Sequence, residues 1–146
     1  MTSADPIRVI AIARAWLGTP YHDQASLRGV GCDCLGLARG VWREVHGTEP
    51  ELPPPYTADW GETGREELLM AAGLRHMARA TGGWAEGQVL LFRMREGAVA
   101  KHLGILSQAG EDARFIHAYD RHGVVESPLS APWRARVVAR FVFPGA

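Results

Sequence analysis

The chain has 146 residues, 47% hydrophobic and 22% charged, the size and balance of one ordinary globular domain. Sixteen Lys and Arg balance sixteen Asp and Glu, and no basic run occurs, which excludes the charge footprint of a nucleic-acid or anionic-lipid binder. No stretch approaches the ~18 apolar residues of a membrane span, and Met1 to Arg8 lacks the basic, apolar and small-residue regions of a signal peptide, so synthesis in the cytoplasm without Sec export is expected.

Asp5-Pro6 is a helix start, with the cap residue followed by proline at the first turn. Val9, Ile12, Ala13 and Trp16 then fall on one helical face, and Gly18 and Pro20 stop the helix. Tyr21 to Gly31 is polar and punctuated by glycine, so it reads as a loop. A second helix is expected from about Asp33. Cys34, Leu37, Ala38, Val41, Trp42 and Val45 share a stripe, and Gly47 ends it. Pro50 to Tyr56 reads as an irregular connector. A third helix is expected over Arg65 to Ala80, with Thr63 and Glu66 as its capping box.

Beyond Gly82-Gly83 the pattern changes to short apolar and β-branched runs separated by turn residues. These are Val89 to Phe92, His102 to Ser107, Phe115 to Ala118, Gly123 to Glu126 and Val137 to Phe143. Helices first and strands after predict an α+β fold with a mainly antiparallel sheet. Each half alone is too small for a good core, so residues 1–146 read as a single domain.

Two cysteines occur, Cys32 and Cys34. A disulfide between them would close a badly strained loop, so each is either a packing group or a chemical one. Cys34 lies at the expected N-terminus of a helix, where unpaired N–H groups and the dipole favour a thiolate and can hold an oxyanion. The bland alternative is a small buried apolar residue on the helix stripe. Cys32 lies before the helix and reads as packing.

Six histidines are available as a base: His22, His46, His76, His102, His117 and His122. His102 opens one expected strand and His117 lies in the next, so antiparallel pairing can set their rings side by side. One would then take the thiol proton while the other orients it. The bland reading of either is a satisfied core histidine. His46 and His76 fall near helix ends and read as solvated. His22 follows Tyr21 and is a candidate for lining a cleft. Zinc is disfavoured, because Cys32-x-Cys34 is too short and His102 to His117 too wide for structural-zinc spacing.

In order along the chain stand Leu17-Gly18-Thr19-Pro20-Tyr21, Asp33-Cys34-Leu35-Gly36-Leu37, Gly87-Gln88-Val89-Leu90-Leu91-Phe92, His102-Leu103-Gly104-Ile105 and Ile116-His117-Ala118. Together these blocks resemble the NlpC/P60 family of papain-like cysteine peptidases. The resemblance implies Cys34 as nucleophile, His102 as general base and His117 as the polar residue orienting it. It implies that Tyr21 and Asp33 belong to the oxyanion and substrate-binding part of the site, although a packing role for Tyr21 stands equally. It implies no metal and no organic cofactor. The implied reaction is cleavage of peptidoglycan stem peptides, at the γ-D-glutamyl bond to diaminopimelate.

The departures are Leu35 in place of serine, Gln88 in place of aspartate, and His22-Asp23-Gln24 in place of paired glycines. They resemble the subgroup encoded among phage-tail and gene-transfer-agent genes. That implies tail or baseplate partners and residence in a virion or tail-like particle. Three alternatives stay open: a structural tail component with a vestigial or latent thiol site, a related Cys/His amidase or transferase, and a binding module for wall fragments.

Overall fold

The computed structural model describes residues 3–50, 68–94 and 101–145. The chain runs α1 (Pro6–Ala15), β1 (Ser26–Leu27), β2 (Gly31–Cys32), α2 (Cys34–His46), α3 (Leu68–His76), β3 (Ala78–Arg79), β4 (Val89–Phe92), β5 (His102–Gln108), β6 (Arg114–Tyr119), β7 (Gly123–Pro128), α4 (Ala131–Ala135) and β8 (Val137–Val142). Six strands form one sheet in the order β3-β8-β4-β5-β6-β7. Every pairing in it is antiparallel. The α+β expectation holds, and the five long strands lie within a residue or two of the runs read from the sequence.

The helices start for the reasons their sequences suggest. The Asp5 carboxylate accepts from the Ile7 N–H at 3.0 Å, and Pro6 sits in the first turn of α1. Asp33 caps α2 by accepting from the Gly36 N–H at 2.7 Å, and Gly47 ends that helix in the left-handed conformation. Both helices lie on one face of the sheet. Val9, Ala13 and Trp16 of the first and Leu37, Val41 and Val45 of the second pack with Val89, Leu91, Leu103, Ile105, Ile116 and Ala118. Leu90, Phe92, Leu106 and Phe115 point to the other face, where Leu129 and Trp133 cover them. Burial on both faces explains why β4 is an unbroken apolar run rather than an alternating one. Each such side chain contributes roughly 1.5–3 kcal/mol on burial.

Three expectations need correction, and one short helix was not anticipated. The third helix ends at His76, and Ala78–Arg79 is instead an edge strand paired with Phe141 and Val142 of β8. Helix-compatible residues yield there to a partner strand with free hydrogen-bonding groups. The proposed start of that helix at Arg65, its capping box and most of the proline connector lie outside the described residues. The Tyr21 to Gly31 loop contains half of a small hairpin, in which Ser26 pairs with Cys32 and Leu27 with Gly31. Arg43 of α2 holds it, donating to the Ser26 carbonyl at 2.7 Å and to its hydroxyl at 2.9 Å. The helix α4 was not legible; it is five residues long, too short for a periodic signal. Finally, His46 and His76 are half-buried rather than freely solvated. The His46 ring stacks on Trp42 at 4.7 Å, and His76 meets the same indole edge-on at 6.4 Å.

Among the described residues, no helix is long and apolar enough to cross a membrane.

Candidate active site

The first turn of α2 is pressed against the hairpin loop. A Cβ on Gly36 would fall inside the Ala25 carbonyl oxygen, so only glycine fits two residues after Cys34. The Gly36 carbonyl accepts from the Ser26 hydroxyl at 2.6 Å. Asp33 works in both directions: one carboxylate oxygen caps α2, and the other accepts from the Gln24 N–H at 2.8 Å. It therefore ties the loop that carries Tyr21 to the helix that carries Cys34. Gln24 takes a positive φ of 65° to make that contact, a conformation that costs about 1 kcal/mol for a residue with a Cβ.

Cys34 is buried, 7% exposed. Its Sγ lies 3.7 Å from the Lys101 carbonyl oxygen, the residue before His102. Burial pushes the thiol up to about 12, and the Asp33 carboxylate adds to the rise; the N–H groups of Leu103 and Leu35 pull the other way without winning. In this buried setting desolvation opposes the thiolate that the helix N-terminus favours. Cys32 is fully buried and packs beneath the loop, and both cysteines are free.

His102 and His117 stand side by side, as adjacent antiparallel strands allow. His102 Nε2 is 2.9 Å from His117 Nδ1. Strand alternation sends both rings to the face that carries Phe92 and Phe115. Phe115 stacks on His117 at 4.1 Å, and Trp133 stands over both histidines at 5.7 and 5.3 Å. Gly104, between them in register, is required by this packing. A Cβ there would lie 2.8 Å from Phe115 Cδ2 and 3.2 Å from His117 Cβ. Burial drives His102 down to about 3, with His117 and Lys101 as lesser causes, and drives His117 down to about 4, helped by His122. Both rings are neutral at physiological pH.

The sequence-predicted residues therefore converge incompletely. Asp33, Cys34 and Tyr21 share one side of the site, and His102 and His117 form a bonded pair on the other. Cys34 reaches the residue next to His102, yet no hydrogen bond joins the thiol to the His102 ring. Tyr21 is half-buried and bridges to Cys32. Its hydroxyl pKa is raised by burial first and then by Cys34, Asp33, Asp23 and Asp120. His22 is exposed on the same loop, its Nδ1 3.2 Å from the Asp23 carbonyl. Gln88, where the family pattern has aspartate, is buried and structural: it donates to the Gly83 carbonyl and accepts from Arg140, each at 3.2 Å.

Sequence reasoning missed Ser127, whose Oγ is 3.0 Å from His117 Nε2, and the aromatic wall of Phe92, Phe115 and Trp133. A register for β6 and β7 would have found the serine, since Val125 pairs with His117 and Ser127 is the same-face diagonal neighbour.

No protein-family model matches the chain, and no curated protein matches it. Solved structures do. The chain is similar to the NlpC/p60 domain of the peptidoglycan hydrolase SagA, with 21% identity over 94% of this chain and 98% of that one, at a TM-score of 0.62. It is similar to an NLP/P60-family protein from Staphylococcus aureus described as similar to a lipoprotein, with 20% identity, 99% of this chain, 44% of that one and a TM-score of 0.64. It is also similar to Ly7917, crystallised with the hydrolysing product of MDP, with 14% identity, 97% of this chain, 64% of that one and a TM-score of 0.61. The chain thus spans less than half of the staphylococcal protein and just under two thirds of Ly7917. At these identities the likeness establishes a shared fold, the α+β arrangement of NlpC/P60 domains.

Proposed function

We propose that this protein is a thiol hydrolase of cell-wall peptides, with Cys34 as nucleophile, His102 as general base and His117 orienting that base. The observation that carries the reading is the hydrogen-bonded His102–His117 pair, together with a Cys34 thiol at a helix N-terminus that lies 3.7 Å from the carbonyl of Lys101, the residue before His102. His102 uses Nε2 toward His117, which leaves Nδ1 for the thiol. On substrate engagement the Sγ–H turns from the Lys101 carbonyl to His102 Nδ1. The proton passes to that nitrogen as sulfur bonds to the substrate carbonyl carbon. The proton then goes to the leaving amine as the peptide C–N bond breaks, leaving a thioester that water, deprotonated by His102, hydrolyses. The Tyr21 hydroxyl is assigned to donate to the oxyanion, and Asp33 to position both residues through the loop. No step needs a metal or organic cofactor.

The substrate is proposed from the fold, because the peptidoglycan hydrolase SagA shares it over its whole domain. The bond is proposed to be γ-D-glutamyl to diaminopimelate, and the setting a phage-tail-like or gene-transfer-agent particle with tail or baseplate partners. The sequence departures at Leu35, Gln88 and His22-Asp23-Gln24 motivate that setting. Peptide release from purified diaminopimelate-type peptidoglycan tests the core of the proposal. Wild type should release peptides with new amino termini at diaminopimelate, and Cys34→Ala should release none. Equal release by both proteins would sink Cys34 as nucleophile. Sedimentation tests the setting: recovery of the protein only outside tail-like particles removes the particle assignment.

One observation favours a second reading, a structural component with a latent site. Cys34 and His102 are 7% and 8% exposed, and the thiol is bonded to a carbonyl rather than to its base. If neither protein releases peptide alone, but wild type does so within an assembled particle, the site is latent rather than absent.

A further inference from the structure

His117 lies between two partners, His102 Nε2 at Nδ1 and Ser127 Oγ at Nε2. A neutral imidazole carries one ring proton, so one of its nitrogens donates and the other accepts. Burial keeps both rings neutral. Two proton orders fit the chain of bonds. In the first, His102 Nε2–H donates to His117 Nδ1, and His117 Nε2–H donates to Ser127 Oγ. That leaves His102 Nδ1 with its lone pair. In the second, the Ser127 hydroxyl donates to His117 Nε2, and His117 Nδ1–H donates to His102 Nε2. The His102 proton is then on Nδ1. Only the first order lets His102 accept a proton from the thiol.

We infer that Ser127 is a positioning residue that holds the His117 proton on Nε2 and thereby keeps His102 Nδ1 unprotonated toward Cys34. The inference rests on the reading of His102 as base. Three features support it. Ser127 is only half-buried on β7, so its own hydroxyl proton can go to solvent while an oxygen lone pair stays for His117. The His117 ring is covered by Phe115 and by Trp133, which leaves its in-plane nitrogens as the polar contacts. A buried N–H without an acceptor is the rarer and costlier defect, so removing Ser127 favours the second order and disables the base. Ser127 comes from a different strand than either histidine, which is why it is absent from the motif blocks.

The test is the tautomeric state of both rings, read by long-range 1H–15N correlation spectra of the whole protein at neutral pH. In wild type, His117 should show a protonated Nε2 and a bare Nδ1, and His102 a protonated Nε2 and a bare Nδ1. Ser127→Ala should move the His117 proton to Nδ1. It should also lower kcat for peptide release by about 10- to 100-fold, the range of outer hydrogen-bond partners of functional histidines, with KM changed by no more than about twofold. Ser127→Thr should restore both. A wild-type His117 proton on Nδ1, or unchanged tautomers in Ser127→Ala, overturns the inference even if the protein is an active hydrolase. The expected tautomers in a protein that releases no peptide support the inference and count against the hydrolase reading instead.

Discussion

Gly104→Ala isolates the packing that sets the two histidines side by side. Gly104 has an ordinary φ, so alanine meets no backbone penalty. What it meets is space already taken: its Cβ would lie 2.8 Å from Phe115 Cδ2, 3.1 Å from the Ile116 carbonyl oxygen and 3.2 Å from His117 Cβ. Phe115 and Ile116 are fully buried and His117 is 1% exposed, so none can move outward. Overpacking at such a site costs about 1–3 kcal/mol, and loss of glycine freedom in the unfolded chain returns about 0.4–1 kcal/mol. The net is about 1–2 kcal/mol, or a fall in Tm of about 2–8 °C for a domain of this size. The same push displaces the His117 ring, so peptide release should fall by about tenfold or less, since a misplacement of about 1 Å costs about 100-fold. Gly83→Ala is the control, because a Cβ there meets nothing within 4 Å and no positive φ is involved. Thermal melts and peptide release on the two variants decide the matter. A Gly104→Ala protein that melts and turns over like Gly83→Ala would refute the argument that this glycine makes room for His117.

Other expectations follow from the site's electrostatics and caps. With its pKa pushed to about 12 against an ordinary 9.0, Cys34 should react with iodoacetamide at pH 8 about 1,000-fold more slowly than a free cysteine; a rate near that of the free amino acid means the site is open at rest. Asp33→Asn removes the charge that raises Cys34 while keeping one capping oxygen, so alkylation should quicken. Asp33→Ala loses the bonds to Gly36 and Gln24 and should cost about 1–2 kcal/mol in urea unfolding. His102 and His117 have folded pKa values of about 3 and 4, below the ordinary 6.5. Their neutral forms are favoured in the folded state, so this stability is present above pH 6.5 and lost as pH falls towards 3. Each can add a slope of up to about 1.4 kcal/mol per pH unit in that window, and a double His102→Gln, His117→Gln variant should flatten the Tm–pH curve between pH 6.5 and 4.

Much of the molecule is legible before any folding, because it depends on near neighbours in the chain. Asp5-Pro6, Asp33 and Gly47 mark helix ends through bonds made within a few residues. Apolar periodicity locates α1, α2 and the five long strands. Cys34 at a helix start and His102 and His117 on successive strands need only local geometry and one assumed pairing. The remainder depends on partners far apart in sequence. The strand β3 exists because β8 offers it an edge, and the His76 ring meets Trp42 of a different helix edge-on. Gly36 and Gly104 are explained only by what fills the space beside them, a loop carbonyl in one case and a buried ring in the other. Ser127 joins His117 through a register that no single segment specifies. The state of the thiol was decided the same way. Helix position pointed to a thiolate, but burial is a property of the whole packed chain, and removing water from Cys34 opposes what its helix terminus favours.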